Sequence, residues 1–283
     1  MLRAEEKIGL FGSFNQVLAL VKLYDQGYYR GIEVDFGKQG LYYDPNHGNN
    51  WWSYYCEPIS IGEKVRVREV AGDVPFARRR EAEWYTDREE GFALIQKYIR
   101  FKPSILQRVE EFEKAHFQKH VVIGVHFRGT DKLEKEASFI THSDVFRRVQ
   151  EAVRPLILKR VKYKVFLATD EQKMVDVMRA VFSTHLCYQP NALRAKKGDP
   201  PPHFDFAYDR YLCGEEALVD CILLSKCDLL IRTSSNLSLW SMYLNPKLPV
   251  IELNQRIDDE KPLFTTDKSN EKEQAEDAPK ERL

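Results

Sequence analysis

The chain predicts an α/β fold whose second half is a doubly wound parallel sheet. Short apolar runs alternate with longer amphipathic stretches, the rhythm of strand–helix–strand units. The runs VVIGVHF (121–127) and YKVFLAT (163–169) are apolar at nearly every position, as strands covered on both faces are. Polar clusters follow these runs directly, at the carboxyl ends of strands where open α/β sheets bind ligands.

In chain order, KIGLFGSF opens with a short apolar run and a glycine. Residues 15–28 predict a helix with Val17, Leu18, Leu20, Val21 and Tyr24 on one face. GIEVDF (31–36) predicts a strand, and residues 37–57, rich in Gly, Asn, Tyr and Trp, a surface loop. A helical region follows over 88–117, interrupted at Pro103. After the strand at 121–127 comes a helix over 143–159, capped by Ser143 or Asp144. The strand at 163–169 leads into a helix over 170–182, and a third helix over 215–226 feeds the strand DLLIRT (228–233). A short helix (238–244) and the strand PVIEL (249–253) complete the pattern. Residues 188–209 hold Pro190, Pro200, Pro201 and Pro202 and predict a long mobile loop. The polar stretch 266–283 predicts a disordered tail.

A length of 283 residues fits two domains or one large one. Lys plus Arg and Asp plus Glu both number 43, so no global field attracts nucleic acid, and none is expected as partner. The cysteines Cys56, Cys187, Cys213, Cys221 and Cys227 show no C-x-x-C spacing, which points to reduced thiols rather than zinc or a disulfide framework. No apolar run has the length of a membrane span. The start, MLRAEEKIGLFGSF, puts acidic residues where a signal peptide has its apolar core. A cytoplasmic location is therefore expected. The run Arg78, Arg79, Arg80 reads as a solvated face and leaves room for peripheral membrane contact.

Three strand ends carry chemistry: His126, Arg128, Thr130, Asp131 and Lys132 at the first, Thr169, Asp170 and Glu171 at the second, Thr233, Ser234, Ser235 and Asn236 at the third. An arginine fork, hydroxyls and the amides of a following helix suit a diphosphate. Spacing alone goes no further than an anion site.

The first cluster has a sharper likeness. VIGVHFRGTDK closely resembles VIGVHVRRTDK of the animal core α1,6-fucosyltransferases. YIRFKPSILQRVEEFEKAHFQKH before it, and KEASF, FLATDE and ALVDCILLSKCDLLIRTSSN after it, resemble that family in the same order and spacing. The likeness runs from about Leu94 to Leu253, and the nodulation fucosyltransferases and protein O-fucosyltransferases share looser versions. Near the start, GSFNQ (12–16) resembles the GxGNQ-type turn that opens this superfamily.

The resemblance implies a GT-B-like arrangement of two facing Rossmann-like domains. Residues 1–112 would be the acceptor side and 113–265 would bind the sugar nucleotide. It implies an inverting, metal-independent transfer of L-fucose from GDP-fucose to a glycan or glycoconjugate hydroxyl, with the sugar nucleotide and glycan as partners and no cofactor. Arg128 matches the arginine on the donor β-phosphate, and His126 and Asp220 match the residues that recognise guanine. Ser235 and Asn236 lie where the family donates hydrogen bonds to the diphosphate, and Thr233, Ser234, Asp170, Gly12 and Asn15 are further donor-binding candidates. Lys132 and Glu136 match the pair proposed to handle the acceptor's proton. Gly129 departs from the family, which has a second arginine there. The loop aromatics Trp51, Trp52 and Tyr54 are candidates for stacking on the acceptor sugar.

Plainer roles stand beside these. Arg128 could pair with Asp131 or Asp170, His126 could be a core histidine, and Glu171 suits a helix cap. Glu136 could be a solvated charge, and the aromatics a packing cluster. Asp220 sits in the apolar run ALVDCILL, where a buried carboxylate costs several kcal/mol unless paired, and this favours function. Three rival functions remain: a transferase of another sugar, a catalytically silent nucleotide- or glycan-binding protein, and a metal-dependent phosphatase built around Asp170.

Overall fold

The computed structural model describes residues 9–38, 40–62, 86–129, 140–196 and 208–254. Its centre is a five-stranded sheet in the order β5-β4-β3-β6-β7, parallel throughout. The strands are β3 (Val121–Phe127), β4 (Tyr163–Thr169), β5 (Leu186–Cys187), β6 (Leu229–Arg232) and β7 (Val250–Glu252). β4 and β5 build outward on one side of β3, and β6 and β7 on the other. The chain order therefore reverses between β3 and β6, which creates a switch point at their carboxyl ends.

Helices cover both faces, as the apolar runs require. Ile123, Val125 and Phe127 of β3 share a buried cluster with α5 (His142–Leu158) and α6 (Gln172–Phe182). α5 buries Val145, Val149 and Val153, a stripe at i, i+4, i+8. Its cap is Thr141, which accepts from the Asp144 amide while Asp144 returns the bond. Asp144 was expected as a cap itself and instead forms the second half of a capping box. The opposite face carries α4 (Pro103–His116), α7 (Arg210–Ser225) and α8 (Asn236–Leu244). The helical region at 88–117 divides as its proline predicts: α3 (Arg88–Tyr98) ends, and α4 opens with Pro103 at its first turn.

The first part of the chain differs more from expectation. α1 spans Leu10–Asp25 and begins five residues before the predicted start at 15, so GSFNQ is helical rather than a turn. Its buried residues run nearly all round, from Leu10, Phe11 and Phe14 to Leu23, and burial of a whole helix outweighs one glycine's cost of about 1 kcal/mol. Only Gly31–Glu33 (β1) of the expected strand forms, and it pairs antiparallel with an unexpected strand, β2 (Ser60–Gly62). The presumed surface loop contains a short helix, α2 (Trp52–Tyr55). The described residues of 1–112 hold no parallel sheet. Phe14, Val17, Trp51 and Trp52 instead join Leu218, Ile222 and Trp240 in one continuous core. Within the predicted mobile loop, residues 188–196 are described: Ala195 bridges in parallel to Glu171 beside the end of β4. Residues 197–207 and 266–283 lie outside the described residues.

Candidate functional site

The switch point gathers much of the predicted cluster. Arg128 and Gly129 follow β3 directly. The Arg128 amide donates to Thr233 Oγ1 at 3.1 Å, the Thr233 amide donates to the His126 carbonyl at 3.0 Å, and the Gly129 amide reaches Asp170 Oδ1 at 3.5 Å. Thr233 and Asp170 thus hold the end of β3 in place and so aim Arg128. Ser235 Oγ caps α8 by accepting from the Leu237 amide at 3.1 Å, and the Ser234 amide donates to Asn254 Oδ1 at 2.7 Å. Asn236 is the first residue of α8, whose open amides face this end of the sheet. Arg232 escaped the sequence reading. Its buried guanidinium bonds Ser238, Glu252 and the Ser235 carbonyl, and it braces the turn into α8 from beneath.

The start of α1 meets this cluster through Tyr42. Burial pushes the Tyr42 phenol up to about 12, while a hydrogen bond from the Leu10 backbone and the Arg128 charge oppose that rise. The first turn of α1, which includes Gly12, therefore starts at a phenol that also feels the Arg128 charge. Asn15 is committed elsewhere: its Oδ1 accepts from Trp240 Nε1 at 2.6 Å and ties α1 to α8.

His126 and Asp220 lie on one face of the sheet. A Cβ on Gly124 would stand 2.8 Å from Cys227 Sγ and 3.2 Å from Leu224, so α7 rests directly on β3 there. Two strand residues advance about 6.6 Å and four helical residues about 6 Å. His126, two beyond Gly124, is consequently level with Asp220, four before Leu224. Both are buried. Asp220 Oδ1 accepts from Gln189 Nε2 at 2.7 Å. Burial lifts Asp220 to about 7, with the Gln189 bond and the Arg194 charge pulling the other way. Around it stand Arg194, Glu216 and the Arg108–Glu215 ion pair. Gln189 and Arg194 were missed in sequence because they lie in an irregular, proline-bearing stretch with no periodicity to mark them.

At Gly129, where the resemblance expects an arginine, the space beside the backbone is taken. A Cβ there would meet Glu171 Oε1 at 2.5 Å and Phe127 Cε1 at 2.7 Å. Glu171 Oε2 pairs with His142 Nε2 at 2.7 Å, and the His142 ring lies against Phe127. Glu171 occupies the N-cap position of α6, yet its side chain makes no cap bond. The expected capping role is thus replaced by a carboxylate–imidazole pair at the rim.

The acceptor-side aromatics are a correction. Trp51 and Trp52 are 1% and 0% exposed; Trp51 stacks on Phe36 and Trp52 packs on Phe14. The Tyr54 hydroxyl donates towards the carbonyls of Asp44 and Gly48. Rings with no open face cannot stack on a sugar, so these residues build the core. Lys132 and Glu136 lie outside the described residues. Among the described residues, no group of His, Cys, Asp and Glu is arranged to hold a metal ion, and no helix is long and apolar enough to cross a membrane.

The fucosyltransferase NodZ from Bradyrhizobium shares 23% identity over 63% of this chain and 51% of its own, with a TM-score of 0.38. NodZ α-1,6-fucosyltransferase soaked with GDP-fucose shares 23% over 62% and 52%, with a TM-score of 0.39. POFUT1 in complex with GDP shares 13% over 57% and 50%, with a TM-score of 0.37. The chain spans about half the length of these solved structures. The description nodulation protein Z (NodZ) matches residues 82–272, a stretch that includes every strand of the parallel sheet. The chain belongs to the nodulation protein Z family.

Proposed function

We propose that the chain is an inverting glycosyltransferase that moves L-fucose from GDP-fucose to a hydroxyl of a glycan or glycoconjugate, in the cytoplasm and without a metal. The observation that carries this is the placement of Arg128. It stands at the switch point of a parallel sheet, held by Thr233 and, through the next residue Gly129, by Asp170, with His126 and Asp220 buried on the adjoining face. Related solved structures hold GDP or GDP-fucose.

In this reading the diphosphate lies between Arg128 and the amides at the start of α8. The leaving nucleotide gains negative charge as the glycosidic bond breaks. A fixed guanidinium and helix-terminal amides stabilise that charge without reorganising. Asp220 and His126 read the base. As the sugar carbon becomes cationic, the acceptor hydroxyl loses its proton to Glu136, assisted by Lys132. Residues 113–265 are the nucleotide side and residues 1–112 the acceptor side, in a GT-B-like arrangement.

A second reading has one specific observation in its favour. Glu171 Oε1 lies 2.5 Å from where a Cβ on Gly129, the position of the family arginine, would stand, which suits a chain that binds the nucleotide without transferring sugar. Calorimetric titration with GDP, GDP-fucose and UDP tests the nucleotide class. Release of GDP from GDP-fucose in the presence of a glycan panel then separates transferase from binder. Tight GDP binding with weak UDP binding is expected, and equal affinity for both would overturn the guanine assignment.

A further inference from the structure

Arg194 is buried, at 9% exposure, in the connection between β5 and α7. Its Nη1 donates to the Ala192 carbonyl at 3.0 Å and its Nη2 to the Gln189 carbonyl at 2.8 Å. Its guanidinium lies 5.1 Å from the centre of the Tyr188 ring. A further donor, Nε–H, is buried and has no hydrogen-bond partner among the described residues. A buried N–H without an acceptor is costly, and one in a native structure calls for an explanation.

Asp220 is the nearby countercharge, 8% exposed. The two side chains feel one another's charge, yet they form no ion pair. Oppositely charged groups taken out of water recover their desolvation cost only in contact, so their separation calls for a cause. Gln189 is that cause. Its side-chain amide donates to Asp220 Oδ1 at 2.7 Å and to the Glu216 carbonyl at 2.9 Å, while its own carbonyl accepts from Arg194. Its Oε1 is fixed in turn by Arg108 Nη2 at 3.3 Å. Gln189 is therefore a spacer that holds a carboxylate and a guanidinium apart, the one with spare acceptor capacity and the other with a spare donor.

Guanine is a planar base that presents two donors, N1–H and N2–H, followed by two acceptors, O6 and N7. A carboxylate beside an N–H donor complements that sequence. Adenine offers a donor where guanine has O6, so the same pair opposes it. We propose that Arg194 is a specificity-determining residue of the nucleotide site, whose Nε–H donates to the O6/N7 edge of the base that Asp220 holds by its donor edge. This rests on the guanine-nucleotide reading above and adds a residue to it. Asp220 and Arg194 thus offer an acceptor and a donor from the two sides of Gln189, to different edges of one base.

The test is a cycle between protein and ligand variants, using the full chain. Affinities of wild type and of Arg194→Met are measured for GDP, 7-deaza-GDP and 6-thio-GDP, which weaken the N7 and O6 acceptors respectively. The expected result is about a tenfold loss for at least one analogue on wild type, a similar loss for GDP on Arg194→Met, and no further loss when both changes combine. Additive losses for both analogues mean that Arg194 only braces its loop, and this overturns the proposal while GDP binding stands. A wild type that binds both analogues as well as GDP overturns it too, without need of a variant. Should Arg194→Met not fold, Arg194→Lys, which keeps charge and bulk but loses Nε–H, completes the same cycle. A folded wild type that binds no GDP overturns both this inference and the reading beneath it.

Discussion

The buried cluster under α7 and the rim at the end of β3 are both polar, but they handle charge in opposite ways. Under α7, Asp220 is buried one turn after the buried Glu216 and is lifted to about 7. Its hydrogen bond from Gln189 and the Arg194 charge offset only part of the desolvation. At the rim, Glu171 remains part-exposed and is answered directly by His142, and Arg128 is half-buried next to solvent. A buried cluster of this kind suits recognition, because an unmatched group there is penalised heavily. A rim of this kind suits transient charge, because its groups are fixed in position yet still reachable. On the proposed function, base reading and phosphate chemistry fall at different depths of one sheet.

The sharpest way to break this division is at Arg128. Arg128→Lys keeps the charge and loses the bidentate fork, so transfer should be nearly abolished and GDP affinity should fall at least about tenfold. Unchanged GDP binding by the folded variant would remove Arg128 from the phosphate. Next comes Glu136→Gln, expected to lower kcat by roughly 10²–10⁴ and to change GDP affinity by less than about twofold. A kcat within about threefold of wild type, too small a change for a lost base, would send the proton elsewhere.

Asp220 sharpens the comparison through selectivity and pH. Asp220→Asn should erode the preference for GDP over ADP and UDP by about tenfold; equal losses for all three nucleotides would make Asp220 structural. Its folded pKa, about 7, stands above the usual carboxylate value. The folded chain therefore binds the extra proton between about pH 4 and 7. Through that window the Asp220 contribution to stability declines as pH rises, and above it the contribution is flat. Guanine contact needs the carboxylate ionised, so GDP affinity should rise with pH through about 7. Urea midpoints and GDP affinities of wild type and Asp220→Asn, compared from pH 5 to 8, check both signs. Matching pH profiles for the two proteins would exclude a titrating Asp220.

Smaller effects test the rim. Gly129→Ala sets a methyl group against Glu171 and Phe127 and should cost about 1–3 kcal/mol of stability by overcrowding. Adding Glu171→Ala removes one of the two obstacles and should restore part of the melting temperature. No recovery would mean that Phe127 alone limits the space. The smallest expected effect is none at all: activity should survive EDTA, since Arg128 and backbone amides supply the positive potential. Loss with EDTA and rescue by Mg²⁺ or Mn²⁺ would move attention to Asp170.

Much of the second half was legible in sequence because its physics is local and periodic. VVIGVHF and YKVFLAT became strands at the predicted bounds, since an apolar run of that length is stable only when covered on both faces. α5 and α6 followed from their stripes, and the polar residues after each strand landed at one edge because parallel strands share a direction. The first part resisted the same reading. α1 is apolar around most of its surface, so no stripe marked its start, and β1–β2 is a pairing of segments far apart in sequence.

By itself, then, the sequence determined the parallel sheet, the edge at which its polar residues gather, and the arginine at that edge. Only the tertiary structure decided that Trp51 and Trp52 are core, that Glu171 turns to His142 rather than to its own helix, and that Gln189 stands between Asp220 and Arg194. Each of these depends on what fills the space around a side chain. Spacing along one chain carries no record of that, because the neighbours come from strands and helices that only folding brings together.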